Sequence, residues 1–553
     1  MSRLSSPAFV GSALVAGALA PMLAHLTWRP IAAALGAVPP DTAGLVSWLA
    51  VPVALAAAAL SARRDRRMPG GIEAALGAAV GGALVGAAAA IISLAMVGLV
   101  TWALVPRMAR ALPAEPVRPW ALGLWSLSAL LATVVSADLA TYLGDPWASG
   151  HGFHWDPFLH RHLCFTAYMH ACELLAAGAD NIYDLARIPD FGGTLPSSAA
   201  SMAPFTLDRY GYPPQFLLVP MGLRALVPDF MAQRALWTTG NALFFAWLLW
   251  RAAQWVGPRS GATLRAFAPL LWLLGGVVYQ TGNVQFVVFG LGLVAMMAFD
   301  EGRDRTGGLL LAWVTLAKIA PGLLGVLLLM QRRWRAAGWT VAWALVLSGL
   351  SLWAMGWAPF EDFLAYHLPK IASGEAYDFL DDSPDRILEN LAPFSLPFKA
   401  GLMGIDLDPW RWAPWVAKAF TVGVFGVTLW AGRRRLDRRG HLALWSLLLT
   451  LAALRSPMSP GYLVAGVLLA LILAGSEGHG VKGWVLGGLL FAAMMAATPT
   501  VPGGLTLGRV LLGQAVMYGA MAWLLLRRWP ALDPAHAPHR LGDDPAARGG
   551  PPP

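Results

Sequence analysis

An aspartate set among aromatic rings is a first candidate for chemistry in this chain. In Gly152-Phe153-His154-Trp155-Asp156-Pro157-Phe158-Leu159-His160 the Asp156 carboxylate has Trp and Phe neighbours. Partial desolvation raises the proton affinity of such a group and suits it to take a proton from a hydroxyl. Asp followed by Pro is also a favoured helix start, so Asp156 equally reads as the cap of a helix opening at Pro157. Asp138, at the end of an apolar block, is a second candidate base or an interfacial anchor. Five of the eleven histidines, His151, His154, His160, His162 and His170, fall within twenty residues. With Asp156 they offer metal donors, although their spacing matches no closed site. His154 and His160 flank Asp156 and are candidates to touch a substrate.

A second acidic run contains Glu361-Asp362, Asp381-Asp382-Ser383-Pro384-Asp385-Arg386 and Glu389-Asn390. Clustered carboxylates can bind Mg²⁺ or Mn²⁺ through oxygen, or simply form a solvated turn. No metal ligand set is assigned, and a divalent cation is the one cofactor the sequence leaves open. The candidate cations are Arg455, before Ser456-Pro457, with Arg161, Lys370 and Arg386. A guanidinium suits a bidentate grip on phosphate, or it snorkels at an interface. Lys318 lies inside an apolar block, where an ionisable group is a functional hypothesis by default. Cys164 and Cys172 are too few for a disulfide framework. On one helix they would stand about 12 Å apart, beyond disulfide reach, and they read as small apolar fillers.

The elements that position these residues follow from composition. The 553 residues are 57% hydrophobic and 13% charged, about half the charge of soluble domains. A DNA-binding protein, a secreted disulfide scaffold and a cytosolic enzyme are excluded as wholes, so the net charge of +9 first reports sidedness. Apolar blocks fall at 7–25, 43–61, 72–105, 119–137, 213–228, 233–250, 266–280, 284–299, 308–330, 336–356, 413–430, 440–454, 460–475, 482–499 and 508–527. Many match the roughly 20 residues a helix needs to span a bilayer. The expectation is an all-α, polytopic transmembrane bundle.

Arg-rich clusters at 63–67, 332–335, 433–439 and 527–528 belong on the cytoplasmic side. Two long polar segments, 138–212 and 357–412, hold 18 of the 31 carboxylates and only seven basic residues, which predicts both on the opposite face. Parity then gives 14 or 16 crossings. Either 213–228, 266–280 and 284–299 all cross, or 213–228 is re-entrant and 266–299 is one broken span. The interruption Tyr279-Gln280-Thr281-Gly282-Asn283-Val284-Gln285 is a candidate cavity lining or an ordinary surface turn. Apolar spacing over 165–177 predicts an amphipathic helix lying along the interface, ending at Gly178. Residues 1–118 form extra N-terminal helices, 119–527 the core, and 528–553 a disordered cytoplasmic tail.

Several short motifs occur in a telling order: Tyr212-Pro213-Pro214, Gly282-Asn283-Val284-Gln285, Lys318-Ile319-Ala320-Pro321 before Gln331-Arg332-Arg333-Trp334-Arg335, Asn390-Leu391, and Ser456-Pro457 with Tyr462. Over roughly 138–527 this order resembles the bacterial family-87 glycosyltransferases of the GT-C class, integral-membrane enzymes that include mannosyl- and arabinosyltransferases. The resemblance implies a polyprenyl-phosphate sugar donor, a lipid or glycan acceptor, and a catalytic aspartate in the first large outer loop. Asp138-Leu139-Ala140-Thr141-Tyr142 fits an Asp-x-x-x-Tyr start, Asp156 resembles the loop aspartate of other GT-C members, and the usual aspartate position falls near Cys164. Pro460 and Gly461 stand where the family has Trp and His.

The sequence therefore predicts an inverting glycosyltransferase of the bacterial inner membrane and cell envelope, working on the periplasmic or extracellular face. Asp156 or Asp138 would be the base, with Tyr212, Asn283, Gln285, Lys318, Asn390 and Tyr462 among the substrate-binding residues. A hexosyl or pentosyl group, mannosyl included, would be moved, with membrane lipids and no nucleic acid as partners. The alternatives are a transporter or flippase for lipid or oligosaccharide, and a polysaccharide polymerase or ligase. A transporter would show internal repeats and ionisable residues near the midplane. No repeat is visible, and the carboxylates gather in two segments outside the apolar blocks.

Overall fold

The computed structural model describes residues 139, 142–143, 161–184, 197–381, 384–459, 463–476 and 507–530. The regular elements among these residues are all helical, with no strand beyond a single bridge between His162 and Thr206. The all-α expectation is met.

The longer helices are α1 Cys164–Ala176, α2 Leu218–Leu226, α3 Phe230–Trp255, α4 Pro258–Leu274, α5 Gly276–Thr281, α6 Gln285–Asp300 and α7 Asp304–Ala317. They continue as α8 Gly322–Met330, α9 Trp334–Met355, α10 Pro409–Ala431, α11 Arg438–Ala453, α12 Val464–Gly475 and α13 Leu507–Leu526. Local sequence sets several starts. Asp229, Asp408 and Asp437 cap α3, α10 and α11 by accepting from the backbone N–H of Ala232, Arg411 and Gly440. A carboxylate there satisfies amides that a first helical turn leaves unpaired.

The helices share a polarity that follows from contacts at their ends. At one end Arg333 pairs with Asp300 at 2.6 Å and His441 with Asp300 at 3.4 Å. Arg335 meets Asp304, Arg251 and Arg303 share Glu301, and Arg434 donates to the Arg527 carbonyl. This end collects Arg from the termini of α3, α6, α9, α10 and α13. Ser260 of α4 meets Ser476, just after α12, at 3.0 Å, which brings two further termini there. At the far end Trp237 of α3 donates to the Gly282 carbonyl, and Lys318 donates to Gln285.

That polarity revises two of the span assignments. Neither parity option for 213–299 holds as framed. The 213–228 block forms only short helices beside the far end. The stretch 258–300 is not one broken span: α4 and α5 run from the basic end to Gly282, and α6 runs back to Asp300. The single apolar block 308–330 likewise splits at Lys318 into two oppositely directed limbs, α7 and α8. The physical reason is local: Gly282 takes φ +67° as the left-handed cap of α5, and Lys318 ends α7 in extended backbone.

Helix α1 is not an amphipathic surface helix. Every residue from Cys164 to Cys172 is buried, so its first two turns are core and only its last turn reaches the surface. Two helices, α9 and α10, are long and apolar enough to cross a membrane by length and composition.

Candidate active site

The site is built where the first polar segment meets the helix break at Gly282. Thr206 N–H donates to the Arg161 carbonyl at 3.0 Å. The Thr166 hydroxyl donates to the carbonyls of Leu163 and Thr206, and accepts from Asp208 N–H at 3.0 Å. These bonds lay 206–208 against the N-terminal end of α1 and bring Asp208 to His162. The carboxylate Oδ2 lies 3.8 Å from His162 Nε2, and its Oδ1 accepts from Arg209 N–H. Among the described residues Asp208 pairs with no Arg or Lys.

From His162 a polar string runs through the site. His162 Nε2 lies 3.3 Å from Cys164 Sγ, and Asn283 Nδ2 donates to the same sulfur at 3.4 Å. Asn283 Oδ1 accepts from Gln285 N–H, and Gln285 Oε1 accepts from Lys318 Nζ at 2.6 Å. The string thus joins a carboxylate, Asp208, to an ammonium, Lys318. Burial, with the Asp208 charge second, pushes the Cys164 thiol up to about 12, so the group there is a neutral thiol. Cys164 is a polar participant, contrary to the filler role; Cys172 is buried in the core.

Aromatic residues wall this string. Lys318 Nζ lies 5.5 Å from the Tyr212 ring centroid, Tyr168 and Tyr212 share a hydroxyl bond at 3.1 Å, and Tyr183 donates to the Tyr212 carbonyl. Burial holds the hydroxyls of Tyr168, Tyr183, Tyr210 and Tyr212 well above their ordinary range, so they act as neutral donors.

The second polar segment closes against the first. Arg209 pairs with Asp378 at 2.6 Å, and His367 stacks on Tyr183 with centroids 4.8 Å apart. Burial, then Glu361 and Asp180, hold the Asp362 carboxyl above the usual range, so carboxylates of both segments sense each other. Tyr377 feels the Asp208 charge and contacts Ser456 of the Ser456-Pro457 turn at 3.3 Å.

The structure sorts the candidates read from sequence. Tyr212, Asn283, Gln285 and Lys318 converge on one buried polar cluster. Asn390 is fully buried with its amide engaged: Nδ2 donates to the Pro457 carbonyl, and Oδ1 accepts from Ala392 and Ser459 N–H. Its role there is to tie the second segment to the Ser-Pro turn. Arg455 donates to Thr421 of α10, Arg386 meets Glu389 on its own helix turn, Lys370 pairs with Glu375, and the Arg161 side chain is exposed. Asp138, Asp156, His154, His160 and Tyr462 lie outside the described residues. Asp208 was missed. Its cue in the sequence, an acid four residues before Tyr212-Pro213-Pro214, was available but carried no recognisable motif.

Among the described residues, the one group of three metal-capable side chains is His162, Cys164 and Asp208, whose donor atoms lie within 4.8 Å of one another.

Residues 210–460 match the model of glycosyltransferase family 87. The matched stretch belongs to that family. The chain is therefore a glycosyltransferase, as the motif order implied, although the match is narrower than the 138–527 expected. The family-87 stretch includes Tyr212, the Gly282 break, Lys318, Asn390 and Ser456-Pro457. Asp208 lies two positions before it, and Cys164 and His162 lie well upstream of it. No curated protein and no solved structure matches the chain.

Proposed function

We propose that this family-87 glycosyltransferase is an integral-membrane enzyme that moves a sugar from a polyprenyl-phosphate donor to a hydroxyl of a lipid or glycan. The observation that carries the reading is the string from Asp208 to Lys318, set where the first polar segment meets the Gly282 break and the second segment closes on the first. Asp208 takes the proton of the acceptor hydroxyl, the hydroxyl oxygen attacks the anomeric carbon, and the sugar–phosphate bond breaks on the opposite face. Lys318 meets the departing phosphate, with Arg161, Lys370, Arg386 and Arg455 as further cations around the two segments. The product has inverted configuration. Because the leaving group is already a phosphate, a base and a cation suffice. Asp208 joins Asp156 and Asp138 as the candidate base, and is favoured by its place on the string.

Membrane residence is supported by α9. Trp334 and Trp353 are 65% and 84% exposed, with Val341, Leu345 and Val346 exposed between them. Nineteen positions at about 1.5 Å put the two rings about 28 Å apart, the thickness of a hydrocarbon core. Arg332, Arg333 and Arg335 flank the Trp334 end and Arg433 to Arg435 follow α10, so the intervening 357–412 lies at the end away from both clusters. With basic clusters inside, the site faces the non-cytoplasmic side of a bacterial inner membrane.

The test is transfer from a labelled polyprenyl-phosphate sugar in membranes carrying Asp208→Asn, Asp138→Asn or Asp156→Asn. Loss in Asp208→Asn alone supports the assignment. Full activity in Asp208→Asn with loss in another variant moves the base to that residue, and no transfer by the parent protein from any such donor defeats the reading.

A further inference from the structure

His162, Cys164 and Asp208 have the donor types and spacing of a metal site that the transfer reaction does not require. His162 Nε2 stands 3.3 Å from Cys164 Sγ and 3.8 Å from Asp208 Oδ2, and all three donor atoms lie within 4.8 Å of one another. Ligand bonds of about 2.0–2.3 Å at tetrahedral angles put neighbouring donors roughly 3.3–3.6 Å apart. The two separations from His162 lie within a few tenths of an ångström of that edge length. Imidazole, thiolate and carboxylate together favour Zn²⁺ over the hard Mg²⁺ and Mn²⁺.

The surroundings supply a second layer. Asn283 Nδ2 and the Thr281 side chain both address the Cys164 sulfur, as hydrogen-bond donors around a ligated thiolate do. Thr166 fixes the backbone of Asp208. Lys318 is the opposing cation, and its ammonium is held on Gln285 at the far end of the string. Two anionic ligands, the thiolate and the carboxylate, match the ion's charge.

We propose that the pocket binds one Zn²⁺ through His162, Cys164 and Asp208, leaving a fourth position for water, and that occupancy blocks transfer. On binding, the Cys164 thiol releases its proton to solvent and the sulfur donates a pair to the metal; nothing is oxidised or reduced. The blocking half rests on the proposed reaction, because a ligated Asp208 no longer accepts the acceptor's proton. The binding half stands without it.

The experiment uses the full chain in detergent or nanodiscs, stripped with chelator. Zn²⁺ is titrated against a chromophoric chelator, and Co²⁺ is added separately to read the cobalt–thiolate absorption band. The expected result is one equivalent bound, with the band lost and affinity lowered at least about tenfold in Cys164→Ser. Cys172→Ser, which removes the other cysteine, should retain both. Melting curves of each variant show that the fold is kept. Absence of stoichiometric binding by the parent chain, or binding that survives Cys164→Ser through other histidines, overturns the site. Zn²⁺ should also abolish sugar transfer reversibly. Binding without inhibition overturns the blocking role alone, and binding by a chain that transfers no sugar counts against the reaction and not the site.

Discussion

Arg209 and Asp378, 169 positions apart in the chain, meet at 2.6 Å and join the two polar segments over the pocket. Asp378 is 57% exposed, so water screens the pair and its contribution to folding is at most about 1 kcal/mol. Its larger effect is on closure. Arg209→Ala should leave the melting temperature nearly unchanged while raising the KM for donor or acceptor in a steady-state transfer assay. A large loss of stability with unchanged KM would contradict this.

A second contact between the segments carries pH dependence. His367 stacks on Tyr183, and neither ring nitrogen finds a partner among the described residues. Burial first, and Lys370 second, depress the imidazole to about 4, against about 6.5 in an unfolded chain. Between those values the unfolded chain binds more protons, so stability falls as pH falls from 6.5 towards 4. Melting temperatures across that window should decline less steeply in His367→Phe, which keeps a ring on Tyr183 and removes the titration. Parallel curves would assign the acid sensitivity elsewhere.

Asn390 is the clearest case of a residue that the sequence pointed to for one reason and the fold uses for another. Asn390→Ala leaves the Pro457 carbonyl and the amides of Ala392 and Ser459 without their buried partner. The expected loss is about 2–4 kcal/mol, read by chemical or thermal denaturation. A variant of normal stability with impaired donor binding would restore the ligand role.

Gly282 is required by backbone geometry. Its φ is +67°, and a Cβ there would lie 2.9 Å from Phe165 Cβ. Gly282→Ala should destabilise the protein by about 1–3 kcal/mol and depress transfer, because Asn283 and Gln285 follow directly on the turn. A melting curve together with the transfer assay checks both.

How much of this was legible in the sequence depends on which signal each residue carried. Composition and hydropathy sufficed for an all-helical chain, and the order Tyr212-Pro213-Pro214, Gly282-Asn283, Lys318 and Ser456-Pro457 sufficed for the family. Hydropathy could not see that Lys318 divides an apolar block into two opposed limbs, because the stretches on both sides of it are apolar. Nor could periodicity distinguish a surface helix from α1, whose buried run Cys164–Cys172 is packed on by Trp237, Phe230 and Phe216. The site itself was half legible. Asn283, Gln285 and Lys318 stand out as polar residues in apolar surroundings, whereas Asp208 and His162 are brought together by pairings of 161–166 with 206–208, some 40 to 45 positions apart. Such pairings leave no local trace.

The most direct test of the central claim is single-turnover transfer by purified protein with Asp208→Asn and Lys318→Met. Removing a general base should lower the rate by about 10²–10⁴-fold, and removing the cation that meets the phosphate by on the order of 10²-fold or more. Both variants should still melt as folded proteins. Transfer at the parental rate in either folded variant would contradict the assignment of base and cation to the two ends of the string.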